Sequence, residues 1–113
     1  FEKHDKTEDC SELMKKVINY RIFPDDQRKM NLSLIDIEGE LLIVPQVTLA
    51  IETNQGTRPS FSKAADPEKG EELFEELKNF LDESFENYQS GIFGEDMNIE
   101  IVNEGPVTFL FQN

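Results

Sequence analysis

One histidine and one cysteine, His4 and Cys10, are all that this 113-residue chain offers for conventional nucleophilic or general-base chemistry. His4 lies in the charged stretch "EKHDK", where a solvent-exposed position is expected, out of reach of a substrate proton. Cys10 falls on the apolar stripe of an amphipathic stretch, where a small buried residue is expected. A histidine-dependent Ser or Cys triad is therefore not expected. The sequence has no Cys/His cluster with zinc spacing, no Gly-rich phosphate loop and no calcium-loop pattern, so no metal and no cofactor are expected. Carboxylates are everywhere, but nothing singles out a catalytic pair. What remains are uncharged residues where the pattern breaks. Gln46 and Thr48 sit in "VPQVTL" amid an apolar run, and Gly105 and Pro106 interrupt "MNIEIVNEGPVTFLFQN". An enzyme built on these works with backbone groups, neutral side chains and the substrate's own functional groups. The competing readings are strand polars satisfied by their neighbours for the first pair and a plain turn for the second.

The elements that must hold these residues are partly legible. In "TEDCSELMKKVINYRIF", Cys10, Leu13, Met14, Val17 and Ile18 follow the spacing of one buried helix face, with Thr7 or Asp9 as cap. "FPDDQRKM" then ends the helix with a proline and a polar turn. Leu32, Leu34 and Ile35 flank "DIEGE", a turn or short hairpin at Gly39. "ELLIVPQVTLAIE" reads as a strand covered on both faces, broken by Pro45. "TNQGTRPSFSKAADPEKG" is a polar loop of a length that is usually functional or mobile. Asp66 caps a second helix with Pro67 as its first residue. Its apolar stripe is Leu73, Phe74, Leu77, Phe80, Leu81 and Phe85, opposite a solvated acidic face. Two or three strands close the chain, and a Gly-Pro pair is poor material within them. Two helices among several strands predict an α/β domain with helices on one side of a sheet, layered on another sheet.

The charge bounds the partners. Twenty-four acidic against eleven basic residues give a formal net charge of −13. No DNA partner is expected, because a wide duplex footprint needs a basic face, and any nucleic acid is gripped at few points. The longest apolar run is too short to span a bilayer and no signal peptide opens the chain, so a cytoplasmic protein without membrane partners is expected. A lone cysteine permits no internal disulfide. Nine Phe supply a real, if small, core for one domain spanning residues 1–113. A both-faces-buried strand needs more neighbours than are visible, so further strands are expected before Phe1 or from another subunit.

Four separated motifs, "RIF…KMNLSL", "PQVTL", "RPSF" and "FGEDM…NEGPVT", stand in the order found in the D-aminoacyl-tRNA deacylases, first known as D-tyrosyl-tRNA deacylases. The chain resembles that family from about Thr7 to Phe111. The resemblance implies a homodimer of layered β/β/α fold, with the family's N-terminal strands absent before Phe1. It implies hydrolysis of the ester joining a D-amino acid to the 3′ end of tRNA, and removal of glycine mischarged on alanine tRNA. It implies that the Gly105–Pro106 bond is cis and enters the partner's site, where backbone oxygens hold the α-amino group and reject L side chains. Gln46, Val47 and Thr48 match the family's catalytic segment, with amides near Val47 and Thr48 at the oxyanion and the tRNA 2′-hydroxyl assisting water. Phe93, Met97 and Pro45 match residues about the adenosine pocket. Pro45 replaces a common serine and Val47 a common phenylalanine. A related animal group that removes misplaced L-alanine from tRNA carries "PQAT", so that activity is one alternative. A non-catalytic dimeric nucleic-acid-binding module on the same scaffold is another.

Overall fold

A computed structural model describes residues 1–54 and 56–112, so Gln55 of the polar loop lies outside the described residues. Helix α1 spans Thr7–Asn19. Its cap is not Thr7 but Lys6, whose backbone N–H donates to Asp9 Oδ2 at 3.1 Å, three residues into the helix. The carboxylate of Asp9 thus satisfies an amide left over at the helix start, where negative charge is also favoured by the dipole. Cys10 and Ile18 are buried, and Leu13, Met14 and Val17 are half-buried beside them on the expected face. Helix α2 spans Pro67–Ser84, with Asp66 at the cap and proline at the first position as expected. Its stripe is buried at Leu73, Phe74, Leu77 and Leu81, and Leu81 is fully enclosed at 0% exposure. Glu71, Glu72, Glu75, Glu76, Asp82 and Glu83 are all exposed.

The strands are short. β1 (Phe23–Pro24) pairs antiparallel with β2 (Met30–Leu32), and β3 (Leu41–Ile43) pairs parallel with β4 (Tyr88–Ser90). Between β2 and β3 the chain makes a turn that ends at Gly39, as the sequence suggests. Ser33 and Asp36 lock it: Ser33 N–H and Oγ both donate to Asp36 Oδ2, at 2.8 and 2.7 Å. The core lies where β3 meets α2, with Ile43, Phe74, Leu77 and Leu81 at its centre and Phe1, Met14 and Phe93 at its margin. The protein is a mixed α/β fold of two helices and small sheets.

Two expectations about strands are corrected. "PQVTL" does not extend β3; residues Val47–Ala50 form a 3-10 turn instead. Pro45 explains the break, since it has no N–H to give a ladder. The closing strands also differ: β4 forms, but residues 96–112 contain no strand. Their alternating pattern is strand-like, yet a strand is completed only by a neighbour's hydrogen bonds, and among the described residues none runs alongside.

Candidate active site at the ends of two parallel strands

β3 and β4 run parallel in register, with Leu41 beside Tyr88 and Ile43 beside Ser90. Their carboxyl ends therefore emerge side by side, the position at which open α/β sheets bind ligands. Beyond that end, Gly91 N–H donates to the Ile43 carbonyl at 2.8 Å and holds the two exits together. From β3 comes Pro45-Gln46-Val47-Thr48; from β4 comes the segment of Gly91, Phe93 and Met97. A side chain added at Gly91 would meet Met97 Sδ at 2.5 Å and Pro45 Cδ at 3.4 Å. Gly91 is thus the close-approach point that lets Pro45 and Met97 converge. Neither the periodicity nor the composition singled it out; its position straight after a strand was the available signal.

Gln46 and Thr48 are exposed and joined, with Gln46 Nε2 donating to Thr48 Oγ1 at 2.7 Å. That bond sets the threonine hydroxyl as an acceptor and leaves its own proton free to point outward. The 3-10 turn closes by Leu49 N–H to the Gln46 carbonyl at 3.3 Å and Ile51 N–H to the Thr48 carbonyl at 3.5 Å. Among the described residues the first two amides of the turn, those of Val47 and Thr48, have no acceptor outside it. Amides at the start of a helical turn have none within it either. Val47 and Leu49 are exposed, while Ala50 is buried and anchors the turn.

Phe93 does not join Met97. It is half-buried against α2, its ring 6.2 Å from that of Phe74 and lying over Gly70, where an added Cβ would meet Phe93 Cζ at 2.9 Å. Gly105 and Pro106 lie at the surface. Both are exposed, and a Cβ on Gly105 would meet nothing within 4 Å. The expected cis bond is corrected: among the described residues no peptide bond is cis. Trans is favoured by about 0.5–1 kcal/mol for an X-Pro bond, and no packing against this loop opposes it. Gly105 itself has φ +98°, a conformation that suits glycine. Further along, Phe109 and Phe111 meet Tyr20 edge-on at 5.6 and 4.8 Å, which ties the chain's end to the end of α1.

The conventional groups are out of play. Cys10 is buried, and burial pushes its thiol above the ordinary range, as an inert core cysteine requires. His4 is exposed. Among the described residues no three His, Cys, Asp or Glu side chains gather as a metal site would need, and no helix is long and apolar enough to cross a membrane. An open cleft of about 480 Å³ lies instead at the β1–β2 turn, lined by Asp25, Lys29 and Asn31 among others. Asp25 Oδ1 there already accepts from the amides of Gln27 and Lys29, at 2.8 and 3.0 Å, so the cleft is a satisfied turn surface.

Known proteins resemble this chain in fold and in sequence. A solved structure titled c-Myc DNA Unwinding Element Binding Protein superposes with a TM-score of 0.83 at 29% identity, over 95% of this chain and 73% of that one. A D-aminoacyl-tRNA deacylase of Legionella pneumophila (strain Lens) is 52% identical over 112 residues, 99% of this chain and 77% of the relative. One from Francisella tularensis subsp. tularensis (strain WY96-3418) is 48% identical over 111 residues, 98% of this chain and 77% of the relative. These relatives define a hydrolase of the deacylase class. Within that class the chain belongs to the D-Tyr-tRNA(Tyr) deacylase family, whose profile matches residues 1–112.

Proposed function

We propose that the chain hydrolyses the ester between a D-amino acid and the 3′-terminal adenosine of tRNA, releasing the free amino acid and the tRNA. The observation that carries the reading is the pairing of Gln46 and Thr48 at the carboxyl end of β3, beside Pro45 and Met97, in a chain 52% identical to a D-aminoacyl-tRNA deacylase. The amides of Val47 and Thr48 stabilise the oxyanion that develops on the ester carbonyl, where preorganised donors contribute most. Water's oxygen bonds to the carbonyl carbon and the bond to the ribose oxygen breaks. One water proton ends on that oxygen, with the neighbouring 2′-hydroxyl relaying it. Thr48 orients the substrate and does not form an acyl-enzyme. Pro45 and Met97 bound the adenosine, while Phe93 stays packed on α2.

Gly105 and Pro106 work in the pocket of a second copy, in a homodimer, where their backbone groups hold the substrate's α-amino group and leave no room for an L side chain. Their exposure and the empty space around Gly105 support this reading, because an unused glycine loop is open to another chain. Glycine carried on alanine tRNA fits the same pocket, since it has no side chain to reject. A tRNA substrate sets the work in the cytoplasm.

The test separates the substrate's hydroxyl from the protein's. Thr48→Ala keeps measurable release of D-tyrosine, within about 10- to 100-fold of wild type, as for loss of one positioning group. A tRNA ending in 2′-deoxyadenosine loses far more. Trapping of an acyl-enzyme, or equal rates on the 2′-deoxy substrate, overturns the mechanism. The name of the DNA-binding structural relative favours one other reading, a nucleic-acid-binding module without catalysis. Binding of tRNA with no D-tyrosine release, with EDTA present or absent, is its signature.

A further inference from the structure

The loop that follows the 3-10 turn is shut at its neck by one residue. Glu52 and Ser60 form an isolated antiparallel bridge, Glu52 N–H donating to the Ser60 carbonyl at 2.9 Å and Ser60 N–H to the Glu52 carbonyl at 3.3 Å. The Glu52 carboxylate also receives Lys63 Nζ at 3.0 Å and Ser62 Oγ at 2.8 Å. Three positions on the returning strand are therefore tied to one on the outgoing strand. On the returning side of the loop lies Arg58, exposed and without a carboxylate partner among the described residues. Pro59 follows it, which biases Arg58 away from helical backbone.

The neck is coupled to the site. Ile51 N–H bonds to the Thr48 carbonyl, and Ala50 between them is buried. Glu52 lies four residue steps from Thr48, a reach of at most about 14 Å, and Ser60 two steps from Arg58, at most about 7 Å. Two neighbouring cations are engaged, Lys63 by Glu52 and Lys69 by the Lys3 carbonyl at 2.6 Å. A chain of net charge −13 repels a polyanion, so binding one near Thr48 needs a local cation.

We propose that Arg58 is a phosphate-binding residue for the single-stranded 3′ end of tRNA, held in place by the Glu52 clasp. The proposal rests on the deacylase reading for the identity of the polyanion. A guanidinium fork suits this task better than an ammonium, because it meets phosphate oxygens in pairs. Glu52 is a positioning residue that acts through the loop.

The experiment measures the affinity of this chain for an uncharged acceptor-stem minihelix carrying a single-stranded CCA end, across a salt series. Arg58→Ala is expected to weaken binding about 5- to 10-fold and to flatten the slope of log K against log salt by about 0.7, the share of one phosphate on a single strand. Arg58→Lys recovers part of the affinity. Arg28→Ala, an equal charge change at the β1–β2 turn, leaves both quantities unchanged. Glu52→Gln shifts KM for D-Tyr-tRNA more than kcat. Wild-type affinity and slope in Arg58→Ala overturn the proposal, as does an equal loss in Arg28→Ala or a wild-type chain that does not bind the minihelix. The two readings fail separately: a chain that hydrolyses no D-Tyr-tRNA but still loses minihelix affinity on Arg58→Ala refutes the deacylase reading and keeps the phosphate site.

Discussion

Along α2, Leu73, Phe74, Leu77 and Leu81 are buried, whereas along residues 98–110 the equally apolar Ile101, Val102 and Leu110 are exposed, Val102 at 98%. Both stretches alternate apolar and polar residues at the spacing of regular structure. The difference lies in where their backbone hydrogen bonds go. A helix satisfies its own amides and carbonyls, then presents a finished face to whatever it packs on. A strand must borrow a partner's edge before its pattern is worth anything. β3 finds that partner in β4, and residues 98–110 find none among the described residues. An exposed apolar, strand-patterned segment is a pairing surface in waiting.

The sharpest way to probe this contrast is to truncate one residue on each side of it. Leu81→Ala should cost about 2–5 kcal/mol, the usual toll for emptying a buried leucine site. Val102→Ala should stay within about 0.5 kcal/mol if the segment is as free in solution as in the isolated chain. Urea denaturation midpoints read both. A loss at Val102 approaching that at Leu81 would show the segment packed against another chain and would erase the contrast.

A smaller effect is expected at the glycine between the two apolar runs of that segment. Gly105→Ala should cost about 1 kcal/mol of stability, because φ +98° is strained for an L residue. If Gly105 works in a second copy's pocket as proposed, the effect on D-tyrosine release should be at least about 10-fold, because there the added methyl would crowd the substrate's α-carbon substituents. Unchanged kinetics with the expected destabilisation would make the loop a plain turn.

The smallest effect is a pH dependence confined to the turns of the β1–β2 half. Lys29's N–H, foremost among its partners, holds the Asp25 carboxyl below its usual range, and the amide and hydroxyl of Ser33 do the same for Asp36. Lowered folded values mean that both carboxylates stabilise the fold above the ordinary aspartate pKa of about 3.9. That contribution is lost as pH falls through the lowered values. Asp25→Asn should therefore lower stability slightly at neutral pH and flatten the acid limb of the profile, the gap to wild type closing as pH falls below about 4. A profile of unaltered shape would show that the Asp25 bonds are too exposed to matter.

The same contrast explains what could be read from the residues alone. Helix signals are local, so the spacing of Cys10 to Ile18, and Asp66 followed by Pro67, located both helices. The cap at Lys6 was missed because Lys6 takes part through its own backbone amide, which no residue type announces, donating to the Asp9 carboxylate. Gln46 and Thr48 stood out as polar residues in an apolar run, and they are hydrogen-bonded to each other. The 3-10 turn that carries them follows from Pro45, which was visible but was read as a flaw in a strand. Gly91 and the Glu52 clasp depend on residues far apart in the chain, such as Gly91 with Ile43, or Glu52 with Lys63, and no short window contains them.

The central claim is that this chain is a deacylase that spares L-aminoacyl-tRNA. Its most direct test is the rate of tyrosine release from D-Tyr-tRNA and from L-Tyr-tRNA, measured side by side at one enzyme concentration. The account predicts rapid release of D-tyrosine and no release of L-tyrosine above the uncatalysed rate. Equal release of both, or of neither, would contradict it.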